Sequence, residues 1–125
     1  MTINNLEHFI ASLWDWKILR GCFGNTRIRP TDVDGLVERN HCYLYLEGKT
    51  LGSEIPTGQF ITYERLASNP RVWVVFFWGD AKAETITSIT VLRHAGPKHY
   101  DPATLDDLRA IVSRWFVWAE RQKAA

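Results

Sequence analysis

Apolar residues first recur at helical spacing. Leu6, Phe9, Ile10, Leu13 and Trp16 predict an amphipathic helix over Asn4–Leu19. Gly21 and Gly24 mark its end and the turn that follows. The period then shortens. Arg27–Glu38 reads as a strand bent near Pro30, since proline removes a ladder donor. The polar Arg39-Asn40-His41 reads as a turn, which makes Val33–Glu38 and Cys42–Lys49 a hairpin. Alternation along the second strand puts Tyr43, Tyr45, Glu47 and Lys49 on one face and Leu44 and Leu46 on the other.

Thr57 or Gly58 opens a second helix that runs to about Ala67 and stops before Asn69-Pro70. Val72–Trp78 is an unbroken apolar run of strand length, which predicts a central strand buried on both faces. Gly79-Asp80 ends it, and Thr85–Leu92 alternates polar and β-branched residues as a further strand. Asp101-Pro102 is expected to open a C-terminal helix, with proline near the first turn. Leu105, Leu108, Ile111, Val112, Trp115 and Phe116 would form its core-facing stripe. The order of elements predicts an α/β or α+β sheet with helices packed on it. Without a repeat, low-complexity tract or linker, one domain over residues 1–125 is expected.

Composition narrows this picture. A chain of 125 residues, 46% hydrophobic, can bury a core without disulfide or metal staples. It has no apolar run of roughly 18 residues, so no membrane span is expected. The N-terminal residues lack the basic start and apolar core of a signal peptide, so the expected location is the cytoplasm of a prokaryote or a phage-infected cell. Cys22 and Cys42 lack C-x-x-C spacing and are expected to be free, partly buried thiols. The four histidines are not at finger spacing, which argues against structural zinc.

A net charge of +1 neither demands nor excludes a nucleic-acid partner. Its distribution says more. Lys17, Arg20, Arg27 and Arg29 lead into an acidic cluster, while Arg93, His94, Lys98 and His99 form a second basic group, read as a loop. Six tryptophans are many for a domain this size, so at least one is expected at an interface, in a homodimer.

The candidate chemistry lies in the hairpin and the second helix. Glu47 and Lys49 are two apart on a strand, so a carboxylate and an ammonium stand side by side on one face. Asp34 comes level with Glu47 if the hairpin turn is short. Charges on a sheet interior need a metal or a mutual pairing to offset their burial. Gln59 and Tyr63 are four apart and share a helix face, from which they could reach a water and a phosphate oxygen. Taken singly, these residues have plainer readings: a surface ion pair, an Asp34-Gly35 turn, an exposed amide and a core-edge phenol.

Together, Asp34, Glu47-Gly48-Lys49 and Gln59-x-x-x-Tyr63 resemble the PD-(D/E)xK nuclease superfamily, specifically its lambda-exonuclease and RecB-like branch. The resemblance implies a restriction-endonuclease-like α-β-β-β-α-β core with a C-terminal strand and helix added. It implies a Mg²⁺- or Mn²⁺-dependent deoxyribonuclease acting in recombination, repair or phage DNA processing. In it, Asp34 and Glu47 would be metal ligands, with the Gly48 carbonyl as a third. Lys49 would act on the water and phosphate, and Gln59 and Tyr63 would support them. Arg27, Arg29, Lys49 and Tyr63 would contact DNA. Glu7 and His8 are candidates for a further ligand on the first helix, and Asp32 rivals Asp34, because Pro30 does not directly precede an aspartate. The alternative is a catalytically inactive module of the same fold that binds nucleic acid or a protein partner.

Overall fold

Val72–Asp80, the most apolar run of the chain, is the middle strand of a five-stranded sheet. The structure, a computed structural model, describes residues 6–8, 11 and 13–124. The chain divides into two compact units, Met1–Asp32 and Val33–Ala125, and the sheet belongs to the second. That unit is an α+β fold in the order β1 (Gly35–Arg39), β2 (Cys42–Thr50), α1 (Thr57–Ala67), β3 (Val72–Asp80), β4 (Thr85–Arg93), β5 (Gly96–Tyr100) and α2 (Leu105–Glu120). Sheet order follows chain order. The sheet is mixed: β2 and β3 run parallel through the α1 crossover, and every other pair is antiparallel.

Period-two alternation divides the side chains between two cores. Cys42, Leu44, Trp73, Val75, Ile89 and Val91 pack with Ile111, Trp115 and Ala119 of α2. Val72, Val74, Phe76 and Leu92 point the other way and pack with Tyr63 and Ala67 of α1. The result is three layers, helix on sheet on helix, with β3 buried on both faces. The β1–β2 turn is the two residues Asn40-His41, with φ of 53° and 62°, the conformation that matches strand twist in a tight hairpin. Arg39 pairs with Glu120 at 2.8 Å and Asn40 donates to the Ala119 carbonyl at 3.1 Å, which ties the hairpin to the end of α2.

Several boundaries differ from those read in the sequence. Residues 6–8 and 11 are helical, and Asn4, Phe9 and Ile10 lie outside the described residues. The expected helix does not continue to Leu19. Residues 13–15 are irregular, and Asp15 takes the Lys17 N–H at 3.0 Å to start a separate 3-10 turn, Trp16–Leu19. The bent strand at Arg27 is also absent, and pairing begins only at Gly35. Pro30 offers that stretch no donor.

Only His94 of the second basic group lies in a loop, the turn between β4 and β5. Arg93 ends β4, and Lys98 and His99 lie on β5, where Pro97 occupies a sheet edge and needs no partner for a missing N–H. The last helix starts after Thr104, which exchanges hydrogen bonds with Asp107 in a capping box, so Pro102 precedes the helix. Its expected stripe was too wide: Leu105 and Phe116 are exposed, and Ala119 is buried instead. Cys22 is exposed and Cys42 buried, both as free thiols. No described helix is long and apolar enough to cross a membrane.

Register shifts between Trp78 and Gly79, and a Cβ on Gly79 would lie 1.9 Å from the Thr85 carbonyl oxygen. Gly58, on α1, has open space around it. In urea unfolding, Gly79→Ala is expected to cost about 2–3 kcal/mol, whereas Gly58→Ala raises stability by about 0.5 kcal/mol. Equal effects would contradict the close approach at the bulge.

Candidate active site

The site forms where the β1–β2 ladder ends. Gly35 opposite Leu46 is its last pair, and just beyond it the side chain of Asp34 takes over from the backbone. Asp34 Oδ2 accepts the Gly48 N–H at 2.9 Å, and the Asp34 N–H donates to Glu47 Oε1 at 3.3 Å. Glu47 stands on the α1 face of the sheet, level with Phe76, and is 2% exposed. The Tyr63 hydroxyl on α1 also donates to Glu47 Oε1. Tyr63 is itself buried, tilted against Tyr45 and edge-on to Phe76, so its ring is fixed by packing. One turn earlier on the same helix face, Gln59 Oε1 accepts from Lys49 Nζ at 2.5 Å.

Five residues from three places thereby come together in two linked sets, Asp34–Glu47–Tyr63 and Lys49–Gln59, from the entry to β1, the end of β2 and the first two turns of α1. The sequence suggested a water for Gln59 and a phosphate oxygen for Tyr63. In the structure Gln59 holds Lys49 and Tyr63 holds Glu47, because α1 packs over the neighbouring β3 and these long side chains reach across to β2. Both helix residues are therefore positioning groups. Gly48 has a packing reason for being glycine, since a Cβ there would press on the Phe77 ring at 3.1 Å.

Burial and the hydrogen bond to Glu47, reinforced by the negative charge of Glu47 and Asp34, hold the Tyr63 phenol well above its usual range. It stays protonated and keeps donating. Glu47 has no cationic side chain within ion-pair distance among the described residues, and both of its hydrogen bonds fall on Oε1. A buried carboxylate without a basic partner suits a cation. Among the described residues no three His, Cys, Asp or Glu side chains gather. The donor set that Asp34 and Glu47 offer is carboxylate oxygen, of the kind a hard cation such as Mg²⁺ takes. It does not fit zinc, which takes nitrogen and sulfur.

Asp32, Arg27, Arg29, Glu7 and His8 belong to the N-terminal unit. The Asp32 carboxylate accepts from the Trp16 indole at 3.2 Å, whereas the carboxylate joined to Gly48 is that of Asp34. Arg27 and Arg29 are exposed and line a cleft of about 680 Å³ within their own unit, with Arg20 and Lys17. Glu7 and His8 are exposed. Sequence reasoning missed Thr90, one of two buried polar residues of the sheet unit, whose Oγ1 lies 2.8 Å from His99 Nδ1. The signal was a threonine between Ile89 and Val91, visible only once β4 is placed inside the sheet. Comparison with protein-family models, with curated proteins and with solved structures gives no match.

Folding favours the neutral phenol of Tyr63, so its contribution is intact below 10.0, the ordinary tyrosine value, and is lost as pH rises toward the higher folded value. Wild-type stability should therefore fall more steeply above that pH than stability of Tyr63→Phe. At neutral pH the variant should lose about 1–3 kcal/mol by uncovering one side of a buried carboxylate. Denaturant melts from neutral to alkaline pH check both, and parallel curves would contradict the buried Tyr63–Glu47 bond.

Proposed function

We propose that the chain is a Mg²⁺- or Mn²⁺-dependent deoxyribonuclease that hydrolyses phosphodiester bonds on a restriction-endonuclease-like core. The observation that carries this reading is the buried Glu47 carboxylate, tied to Asp34, without a basic partner among the described residues and two positions from Lys49 on the same strand face. Support also comes from the β-β-α-β order of β1, β2, α1 and β3, with the candidate residues at the entry to β1, the end of β2 and the start of α1. The described residues hold two strands before α1, one fewer than the family pattern implies.

Asp34 and Glu47 would hold the cation, with the Gly48 carbonyl beside them. A bound Mg²⁺ would add positive charge at the phosphate and acidify the attacking water. Lys49 places an ammonium next to the ligands, where it stabilises negative charge developing on the phosphate oxygens. Gln59 uses its amide oxygen to aim that ammonium. Tyr63 and the Asp34 N–H fix Glu47 Oε1, so the carboxylate keeps one orientation as substrate enters and leaves.

Cleavage of linear, nicked and branched DNA with Mg²⁺ tests the proposal. Glu47→Ala and Lys49→Ala should each lower the rate at least about 100-fold, and a chelator should abolish it. Equal rates in all three proteins would remove the assignment. Absence of both cleavage and metal binding would leave a non-catalytic module.

A further inference from the structure

The α1 face of the sheet carries a second feature beyond the carboxylates. Strand register places Glu47, Phe76, Thr90 and His99 in one row across β2, β3, β4 and β5. The next row runs from Lys49 to Trp78 and Ser88. On this face α1 packs over Val74, Phe76 and Leu92, but Ser88 is half-buried and His99 exposed. A groove of about 460 Å³ results, with Phe60 and Trp78 as an aromatic wall and Ser88, Thr90 and His99 as a polar floor.

The groove is built rather than incidental. The Trp78 indole N–H donates to the Ser53 carbonyl at 2.8 Å, and Phe60 stacks on Phe76 with centroids 6.4 Å apart, so both rings are held. Thr90 is 5% exposed and engages His99 through Nδ1, leaving Nε2 for a ligand. The groove starts beside the catalytic candidates: Trp78 is the register partner of Lys49, and Phe60 follows Gln59. Asp101 lines the far end and repels an anion there. Phosphate is therefore favoured at the Lys49 end, and an uncharged, flat, hydrogen-bonding group farther in.

A nucleobase has that chemistry. From β3 to β5 the floor spans two strand spacings, about 10 Å. That admits one base and its sugar but not a paired helix, whose major groove alone is about 12 Å wide. We propose that this groove is a subsite for a single-stranded nucleotide flanking the scissile phosphate of DNA, its base against Trp78 and Phe60 and its edge on Ser88, Thr90 and His99. The proposal rests on the nuclease reading and adds that the substrate is unpaired beside the cut.

The test separates the two. Anisotropy of a labelled single-stranded oligonucleotide, with Ca²⁺ replacing Mg²⁺, reads binding without requiring turnover. His99→Ala and Ser88→Glu alter exposed or half-exposed positions, and thermal melts followed by circular dichroism confirm that they fold. Each should bind single-stranded DNA about 10-fold more weakly, with little change for a blunt duplex of the same length. Wild-type affinity in both variants, or equal losses for single-stranded and duplex DNA, would overturn the subsite. Cleavage by Glu47→Ala at the wild-type rate would instead overturn the nuclease reading, and an inactive Glu47→Ala alongside normal binding by both groove variants would remove the subsite alone.

Discussion

A carboxylate buried in the face of a sheet is the constraint on which the rest of this structure depends. Glu47 is enclosed between β2 and α1, where an unpaired charge is expensive. Two hydrogen bonds offset part of that cost, one from the Asp34 N–H and one from Tyr63. Each makes a demand on the fold. The Asp34 bond requires β1 to stop one residue short of Glu47, and the Tyr63 bond requires α1 to pack on the sheet face that carries Glu47. The parallel β2–α1–β3 crossover meets the second demand, and the packing of Tyr63 against Tyr45 and Phe76 holds it.

Much of this was legible in the chain because short-range rules decide it. The hairpin register follows from the two-residue Asn40-His41 turn, so Asp34 and Glu47 come level as the spacing implied. The limits of α1 follow from Thr57 and Asn69-Pro70, and β3 from an apolar run with no polar face. What was not legible depends on tertiary context. The choice between Asp32 and Asp34 turns on where the ladder ends, and that end is set by pairing with Leu46. β5 was hidden because Pro97 and Lys98 read as loop residues, although both are at home on a sheet edge. The partners of Gln59 and Tyr63 depend on where α1 settles, which helical periodicity does not specify.

The two faces of the sheet divide the labour. The face under α2 is a packed apolar layer anchored by Trp115 and by Trp73 packed at a tilt against Trp118, and it carries stability. The face under α1 is apolar toward Val72 and Val74 but polar toward the ends of β2 and β3, where Glu47, Lys49, Thr90 and His99 lie in adjoining rows. Polar groups placed there cost stability, the pattern expected where a surface is shaped for a task other than packing, and the proposed function gives them one.

The proposed function requires Asp34 and Glu47 to hold one divalent cation together. Crystals soaked in Mn²⁺ and measured near the manganese absorption edge test it directly. One anomalous peak is expected within coordination distance of carboxylate oxygens of both residues, absent in Glu47→Ala. A peak bound elsewhere, or no peak in well-diffracting wild-type crystals, would contradict it.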